Sequence, residues 1–414
     1  MGRLKSLRCP KCGSEPALTT AFRCPACKSI LEVNVEISHL LRSDLRAMRQ
    51  SRDSTIWRWF DFFPVESRAC VVSLGEGGTP LLLARRLGAR LDMPNLYLKN
   101  DTVLPTGSLK DRSNSVGLSK AKELGFTTTT VMSTGNAAAS VAAYSAAAGF
   151  KSVVMVPAGT APSKIVQARA YGAAVIVVEG SFDDEVAQLY KAAVKEFGWY
   201  DCLSSNPYRD EGKKSYAYEL VDQLEKQIPD WVIHPTAGGT GLYAMWKGFK
   251  EFFSLGWINR MPRLVAAQSA AAAPIVAAFE QGLAYVEPVV ARDTVAESIQ
   301  VGNPVSLGWR ALAALRESGG AAVALSDEEI LEAQHLTGTL AGIFAEPAAA
   351  TSVAAARKLR ERDVIGREEV VVCNLTGHGL KQPEAIRVPQ EELRPIVPTL
   401  EALREQVKKI DKFD

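Results

Sequence analysis

The stretch Thr130-Val131-Met132-Ser133-Thr134-Gly135-Asn136 passes from an apolar run to a polar turn, and the alanine-rich segment Ala137–Ala148 follows it directly. The run has the character of a short buried strand, and the alanine-rich segment has that of a helix. A strand that leads through a polar turn into a helix is the repeating unit of parallel sheets covered by helices on both faces. The stretch therefore predicts an α/β fold.

The same alternation of short apolar runs and longer helical segments recurs along the chain. Strands are predicted at Thr130–Met132, Lys151–Val156, Ala174–Val178, Trp231–His234, Arg263–Ala267 and Glu369–Cys373. Helices are predicted at Ser113–Leu124, Ala137–Ala148, Ser163–Tyr171, Asp183–Glu196, Glu211–Gln227 and Gly241–Phe253. In open α/β sheets, ligands bind beyond the carboxyl ends of the strands, so the polar turns after these runs are the candidate functional segments.

The composition is that of a soluble globular enzyme, with 47% hydrophobic and 23% charged residues among 414. The net charge of +2 gives no reason to expect nucleic acid as a partner. The sequence contains no apolar run long enough to span a membrane. The start Met1–Lys5 leads into cysteines rather than into a secretion signal. We therefore expect a cytoplasmic protein that has no membrane partner.

Two Cys-x-x-Cys pairs, Cys9 with Cys12 and Cys24 with Cys27, lie close to the N-terminus. Four thiolates at this spacing suit a tetrahedral structural zinc that has no open position, although iron would fit the same ligands. Two disulfides would need an oxidising compartment, which nothing in the sequence indicates. The remaining cysteines are predicted to be small core residues: Cys70, Cys202 and Cys373.

The length exceeds that of one ordinary domain. We predict two parallel-sheet α/β domains with helices on both faces, plus a small N-terminal zinc ribbon. The predicted segments are the zinc ribbon at 1–34, an N-terminal arm with part of the large domain at 35–115, a smaller α/β domain at 116–205, the large α/β domain at 206–400 and a C-terminal tail at 401–414.

A tight bend precedes a lysine in Pro105-Thr106-Gly107-Ser108-Leu109-Lys110-Asp111-Arg112. Proline, glycine and serine fix the bend. A lysine held at the end of such a bend can have a perturbed pKa, which is what a Schiff-base lysine needs. Taken alone, the octet is equally compatible with a surface turn that opens a helix and leaves Lys110 solvated.

Two glycine-containing turns follow predicted strands. Ser133–Asn136 places hydrogen-bonding side chains at a helix N-terminus, where carboxylates and phosphates bind. Ala237-Gly238-Gly239-Thr240-Gly241 also precedes a helix, and its glycines favour a cradle of backbone N–H groups around a phosphate. A simple N-cap and a glycine turn without a ligand are the respective alternatives.

Two further segments carry candidate ligands. Thr376 lies near the end of the last predicted strand, where its hydroxyl can contact a ring nitrogen. The segment Ser204–Lys214 offers cations beside amide and hydroxyl groups, which suits an anionic substrate. Within it we interpret Lys213 and Lys214 as a solvated helix start, and Arg209 as the better candidate for an anion ligand.

Together these segments resemble the cofactor site of the tryptophan-synthase-β-like group of pyridoxal phosphate enzymes, which have fold type II, and within that group the threonine synthase family. The resemblance runs from about residue 70 to residue 385. The matching pieces are Gly75–Leu81, Pro105–Arg112, Ser133–Asn136, Asn206–Lys214, Gly238–Gly241, Ala345–Pro347 and Thr376–Lys381.

The resemblance implies a role for each candidate residue. Lys110 is the catalytic lysine and binds the cofactor covalently, and Asn136 contacts the cofactor's phenolic oxygen. Thr376 contacts the ring nitrogen. The phosphate is held by the loop residues Ala237, Gly238, Gly239, Thr240 and Gly241. The implied substrate ligands are Ser133 and Thr134 toward the carboxylate, and Ser204 and Arg209 toward the phosphate.

The implied reaction converts O-phospho-L-homoserine and water into L-threonine and phosphate, a lyase step in threonine biosynthesis. A hydroxyl at the ring nitrogen, in place of a carboxylate, favours elimination and replacement over transamination. The chain departs from the family where many members have asparagines in loop 237–241 and phenylalanine at Leu109, and many members lack the ribbon. Cysteate synthase, acting on O-phosphoserine and sulfite, and threonine or serine dehydratase therefore stay open as alternatives.

Two non-enzymatic alternatives are also open. A catalytically silent relative would be expected to lose Lys110 or the glycine loop, and both are present. A nucleic-acid module would need aromatic residues to stack on bases, and residues 1–34 contain only Phe22. We therefore expect a small amino-acid phosphate as the substrate and a homodimer as the assembly, with no nucleic-acid partner.

Overall fold

Parallel sheets form the core of the chain, as the alternating sequence pattern predicts. The computed structural model describes residues 4–17, 22–225, 227–304, 307–386 and 395–410. Parts of the predicted ribbon (1–3 and 18–21) and of the predicted tail (411–414) lie outside the described residues. By its internal contacts the chain divides into a unit at 1–381 and a unit at 382–414.

The strands of the described part are numbered in chain order: β1 (Leu4–Arg8), β2 (Glu32–Val35), β3 (Leu81–Leu83), β4 (Leu96–Asn100), β5 (Thr128–Met132), β6 (Lys151–Pro157), β7 (Ala174–Val178), β8 (Tyr200–Asp201), β9 (Trp231–Pro235), β10 (Arg263–Ser269), β11 (Ala321–Leu325) and β12 (Val371–Leu375).

The α-helices of the described part are α1 (Arg42–Gln50), α2 (Arg85–Arg90), α3 (Lys110–Glu123), α4 (Asn136–Ala148), α5 (Pro162–Ala170), α6 (Ala187–Phe197), α7 (Pro207–Lys213), α8 (Ser215–Gln223), α9 (Thr240–Ser254), α10 (Pro274–Glu280), α11 (Gly308–Glu317), α12 (Asp327–Ala341), α13 (Pro347–Glu361) and α14 (Leu400–Ile410). Helix α14 belongs to the unit at 382–414.

The large sheet has the order β11-β10-β9-β12-β4-β3, and only its edge pair β3–β4 is antiparallel. Side chains alternate between two cores: Val232 and Val372 point to one side, and Ile233 and Cys373 to the other. Because helices cover both faces, β9 and β12 are buried at every residue, which explains their near-continuous apolar sequence.

The smaller sheet has the order β7-β6-β5-β8 and is parallel throughout. Its central strand β5 contains Thr130–Met132, and α4 follows the polar turn as predicted. β1 and β2 form a separate antiparallel pair near the N-terminus. The N-terminal arm packs on the main body through its aromatic residues, because Trp57, Trp59, Phe60, Phe62 and Phe63 are all buried in the first of the two cores.

Every predicted strand and helix is present, but some boundaries differ. The helix predicted at Glu211–Gln227 is two helices, α7 and α8. Helix α7 begins early because Pro207 occupies its first turn and the Asn206 side chain accepts a hydrogen bond from the Tyr208 N–H. The last strand ends at Leu375 rather than Cys373, so Thr376 follows it directly.

A buried charge network anchors α3 immediately after Lys110. Arg112 is fully buried and pairs with Asp101 at 2.7 Å (Nε–Oδ2) and with Glu219 at 2.6 Å (Nη1–Oε1). Lys99 also contacts Glu219, with an Nζ–Oε2 distance of 2.5 Å. The network ties α3 to β4 and α8, and so fixes the direction in which the lysine leaves the helix.

Candidate active site

Three of the predicted functional segments meet at the carboxyl ends of β9 and β12: the Pro105–Arg112 bend, loop 237–241 and the segment that begins at Thr376. The Leu109 N–H donates to the carbonyl of Thr376 at 2.8 Å, and the His378 N–H donates to the carbonyl of Gly107 at 2.9 Å. These bonds hold the Pro105–Arg112 bend against the segment that follows β12. Lys110, the first residue of α3, therefore lies beyond the carboxyl edge of the large sheet.

A pocket lies at this edge of the sheet. It brings together predicted residues that are far apart in sequence, including Lys110, the whole loop 237–241 and Thr376. Its full lining is Leu109, Lys110, Lys213, His234, Pro235, Thr236, Ala237, Gly238, Gly239, Thr240, Gly241, Ser298, Ile299, Glu346 and Thr376.

Lys110 is partly buried at the pocket wall. Burial lowers the pKa of its amine to about 8; the Glu346 carboxylate opposes this shift, and the Arg209 guanidinium adds to it. Near neutral pH an appreciable fraction of the amine is therefore uncharged, which is the form that acts as a nucleophile or takes up a proton. The interpretation of Lys110 as a solvated turn residue is not what the structure shows.

Loop 237–241 has little room for side chains. Gly239 has a φ of +90°, and a Cβ there would lie 2.5 Å from the Cβ of Ala311. A Cβ on Gly241 would overlap the imidazole of His234. The loop leads into the 15-residue helix α9, whose first N–H groups have no partner within the helix. This backbone suits a phosphate group.

His234 is a pocket residue that the sequence pattern did not identify. It is buried at the end of β9, and its Nδ1 lies 3.1 Å from the Asn374 Nδ2. Burial, together with the charges of Lys110 and Lys213, lowers its pKa to about 3. The imidazole is therefore neutral, and because the Asn374 amide donates to Nδ1, the proton lies on Nε2.

Glu346 is a second pocket residue that was not predicted to be functional, although the segment Ala345–Pro347 is among those that resemble the family. It is 2% exposed, and its carboxylate accepts from the Asn136 Nδ2 at 3.0 Å and from the Ser298 hydroxyl at 3.2 Å. Burial raises the pKa of this carboxyl, against the opposing effect of Asn136 and Lys110. Asn136 itself starts α4 behind Glu346 and is not among the lining residues.

The predicted substrate ligands lie outside this lining. Ser133 and Thr134 are partly exposed in the turn before α4, and Ser204 is exposed. Arg209 is buried on α7, and its Nε donates to the Asn114 Oδ1 at 2.9 Å. The structure thus brings together the predicted cofactor residues other than Asn136, whereas the four predicted substrate residues are not part of the pocket wall.

The interpretation of Lys213 and Lys214 as a solvated helix start is wrong. Lys213 is 5% exposed and lines the pocket, and Lys214 is fully buried between Glu211 and Glu251, with its Nζ 2.7 Å from each carboxylate. Helix α7 packs against both α3 and α9, so neither lysine faces solvent. The sequence lacked a signal for this, because both packing partners are distant along the chain.

The N-terminal cysteines cluster as their spacing predicts. The Sγ atoms of Cys9, Cys12, Cys24 and Cys27 all lie within 4.8 Å of one another. The separations of Cys9 from Cys27 and of Cys12 from Cys24 are 3.4 and 3.7 Å. Tetrahedral zinc with Zn–S bonds of about 2.3 Å needs sulfurs about 3.8 Å apart, so the cluster has the right size for the ion.

The strand that follows the cysteine cluster contacts helix α9. Tyr243 donates a hydrogen bond to the Glu32 carboxylate of β2, and Lys247 donates to the carbonyl of Val33. Arg310 stacks on the Tyr243 ring, with its Cζ 4.4 Å from the ring centroid. Strand β2 is therefore attached to the helix whose first residues belong to the glycine loop.

The match with known proteins covers this fold and site. Residues 72–377 match the family described as "Pyridoxal-phosphate dependent enzyme". The chain therefore belongs to the pyridoxal-phosphate dependent enzyme family, and the parallel sheets are those of a fold type II enzyme. Among the described residues, no helix is long and apolar enough to cross a membrane.

The relatives indicate which kind of pyridoxal-phosphate dependent enzyme the chain is similar to. The threonine synthase of Methanocaldococcus jannaschii is 42% identical over 94% of this chain and 96% of its own length. The threonine synthase of Methanosarcina acetivorans is 40% identical over 97% of this chain and 98% of its own. In structure, the chain resembles a threonine deaminase from T.th. with a TM-score of 0.63 and 25% identity, covering 82% of this chain and 98% of that one.

Proposed function

We propose that this protein is a threonine synthase that converts O-phospho-L-homoserine and water into L-threonine and phosphate. One observation carries the proposal: a lysine with a lowered pKa faces a glycine loop at a helix N-terminus, within a chain about 40% identical to threonine synthases over nearly its whole length. The structural likeness to a threonine deaminase, which bears on the dehydratase alternative, has only 25% identity, lower than the identity to the threonine synthases.

The pocket fits pyridoxal phosphate. The loop Ala237–Gly241 would hold the phosphate through backbone N–H groups, since its glycines leave no side chains in the way. The Thr376 hydroxyl would contact the ring nitrogen, and Asn136 would contact the phenolic oxygen. When bound, the cofactor supplies an electron-withdrawing ring that stabilises negative charge on the adjacent substrate carbons.

Lys110 is the proposed proton carrier. Its amine has to be uncharged to take up a proton, and the lowered pKa of about 8 supports this role. It would remove a proton from one substrate carbon and return one to another, while phosphate leaves Cγ and water adds at Cβ. Glu346, which raises the pKa of Lys110, would limit how far the amine loses its charge.

Four residues are the proposed substrate ligands. Ser133 and Thr134 would receive the carboxylate at the start of α4, where the helix dipole favours an anion. Ser204 and Arg209 would contact the phosphate. The effect of the Arg209 charge on Lys110 supports an anion site nearby. We also propose a homodimer, the usual assembly of soluble enzymes.

The four cysteines Cys9, Cys12, Cys24 and Cys27 are the proposed ligands of one structural zinc ion. Their spacing supports this, and with four protein ligands the ion would have no open position for a substrate. Its task would be to fold the ribbon, because a closed tetrahedral site contributes folding energy and no catalytic water.

The test is an assay of the purified protein with O-phospho-L-homoserine that scores L-threonine and phosphate separately. The expected result is equal amounts of both, lost in Lys110→Ala. Parallel assays use O-phosphoserine with sulfite, and L-threonine or L-serine alone. Turnover confined to one of these, or phosphate release without threonine, would contradict the proposal.

A further inference from the structure

The ammonium of Lys213 lies at the glycine loop. Its Nζ is 2.6 Å from the Thr240 hydroxyl, and Thr240 is both a loop residue and the first residue of α9. Its other polar contact among the described residues is Asp210, at the long distance of 3.5 Å. An ammonium has three N–H donors, so Lys213 retains capacity for a ligand in the pocket that it lines.

The charges around Lys213 are unbalanced. Asp210 is the nearest carboxylate, and it also pairs with Arg310 at 3.2 Å. The charges of Arg209 and Lys110 both act against the protonated form of Lys213. Lys213 and Arg310 thus share the single carboxylate of Asp210 in a nearly water-free place, which is costly unless an anion joins them.

The glycine loop alone does not carry enough positive charge to neutralise a bound phosphate. Backbone N–H groups and the start of α9 offer only partial positive charge, equivalent to about half a unit. A phosphate monoester carries nearly two negative charges near neutral pH. The loop itself contains no cationic side chain. A full positive charge must come from another element, and α7 presents one through Lys213.

We propose that Lys213 is a phosphate ligand whose ammonium, positioned by the Thr240 hydroxyl, neutralises the cofactor phosphate held by loop 237–241. The inference rests on the proposed pyridoxal phosphate cofactor and adds a residue to its site. The cofactor phosphate is preferred over the substrate phosphate because Lys213 contacts the loop itself, whereas the proposed substrate ligands Ser204 and Arg209 are outside the pocket lining.

A titration should accompany binding. Burial lowers the pKa of Lys213 to about 7; Asp210 opposes the shift, and Arg209 and Lys110 add to it. The charged and titratable groups around it are Asp210 and Arg209 on its own helix, Lys110 on α3, Arg310 on α11 and His234 on β9. Its hydroxyl partner is Thr240 on α9. A bound dianion raises the pKa of the lysine, so the apoprotein takes up a proton when it binds the phosphate.

The experiment measures cofactor affinity directly, without substrate. Apoprotein of wild type, Lys213→Gln and Lys213→Arg is titrated with pyridoxal phosphate and with pyridoxal, which has the same ring and aldehyde but no phosphate. Lys120→Gln is the matched control, because Lys120 has the same 6% side-chain exposure and also pairs with a carboxylate three residues away, but lies outside the pocket lining.

We expect Lys213→Gln to weaken pyridoxal phosphate binding by about ten- to a hundredfold, the range for a hydrogen bond to a charged group. Pyridoxal affinity should be unchanged, Lys213→Arg should recover part of the loss, and Lys120→Gln should bind as wild type does. The phosphorus NMR signal of the bound cofactor should also shift in Lys213→Gln, which a merely structural role in α7 would not cause.

Three outcomes would overturn the inference. Equal loss of pyridoxal and pyridoxal phosphate affinity would indicate a packing role. Unchanged affinity for both, with a raised KM for O-phospho-L-homoserine, would assign Lys213 to the substrate phosphate instead. Unchanged affinity and KM would leave it without a phosphate contact. If wild type does not bind pyridoxal phosphate, the proposed function fails, and this result is distinct from the other three.

Discussion

The imidazole of His234 occupies the space that a side chain at Gly241 would need. His234 is the penultimate residue of β9, and Gly241 is the second residue of α9, so the contact closes the turn between them. The backbone of Gly241 is not in the left-handed region, and space alone restricts this position to glycine. The backbone conformation of Gly241 would allow any residue at this position. The imidazole of His234 therefore explains why the loop has a glycine there.

The Gly241→Ala substitution should weaken cofactor binding. A methyl group at this position must displace His234 or shift the start of α9, and overpacking of this kind costs about 1–3 kcal/mol. We expect a pyridoxal phosphate dissociation constant about five- to a hundredfold higher, measured by titration of the apoprotein.

The double variant His234→Ala, Gly241→Ala tests whether the clash with His234 is what weakens cofactor binding. It restores the space and should bind more tightly than Gly241→Ala alone. Gly338→Ala is the control, because Gly338 on α12 has no neighbour within 4 Å of an added Cβ. If the double variant is no better than the single one, the steric explanation is wrong.

The pH dependence of cofactor association should report on Lys110. Its amine attacks the cofactor aldehyde only when uncharged, so the association rate of the apoprotein should rise with pH and level off above the pKa of about 8. Stopped-flow absorbance across this range gives the midpoint.

The Glu346→Gln variant tests whether the midpoint of this pH dependence belongs to Lys110. The carboxylate of Glu346 raises the pKa of Lys110, so its removal should move the midpoint to lower pH. A midpoint that moves upward, or a rate independent of pH in wild type, would contradict the assignment of this amine.

The buried charge network at the start of α3 should contribute strongly to the free energy of unfolding. Arg112→Leu leaves Asp101 buried without its ion-pair partner and Glu219 paired with Lys99 alone, and we expect a loss of about 3–5 kcal/mol in the free energy of unfolding. Urea unfolding followed by circular dichroism measures it. Arg367→Leu is the control: its side chain is 57% exposed, and the loss should stay below about 1 kcal/mol. Equal losses would show that the network adds nothing.

Removal of one cysteine ligand should unfold the ribbon selectively. Cys9→Ser is expected to lower the zinc content of the purified protein from one ion per chain towards none, because the remaining thiolates no longer close the tetrahedron. Metal analysis and thermal unfolding measure the effect. Cys70→Ser, at a partly buried cysteine outside the cluster, should retain the metal. Full zinc content in Cys9→Ser would exclude this ligand set.

Much of the fold was predictable because its strands are buried on both faces. Strands such as β9 and β12 are mostly apolar and buried at every residue, and glycine or polar turns mark where each ends. The Lys110 bend and loop 237–241 could be recognised for a similar reason, since glycine and proline restrict the local backbone whatever surrounds them.

The features missed depend on distant partners. Strand β4 contains the charged Lys99, which is buried only because Glu219 of α8 neutralises it. Lys213 has the sequence context of a surface lysine, and only the packing of α9 against α7 brings Thr240 to it. Glu346 and His234 have no local signature either, because their importance comes from the residues that face them across the pocket.

The hydrogen bond from Tyr243 to Glu32 joins the ribbon to the helix that begins with the glycine loop. Thermodynamic linkage is reciprocal: if an ordered ribbon favours the arrangement of α9 that binds cofactor, cofactor must favour metal retention by the same factor. We therefore expect cofactor-free protein to lose its metal at a lower chelator concentration than cofactor-loaded protein does. Loading with the metal and with the cofactor would then be a single coupled maturation step rather than two independent ones.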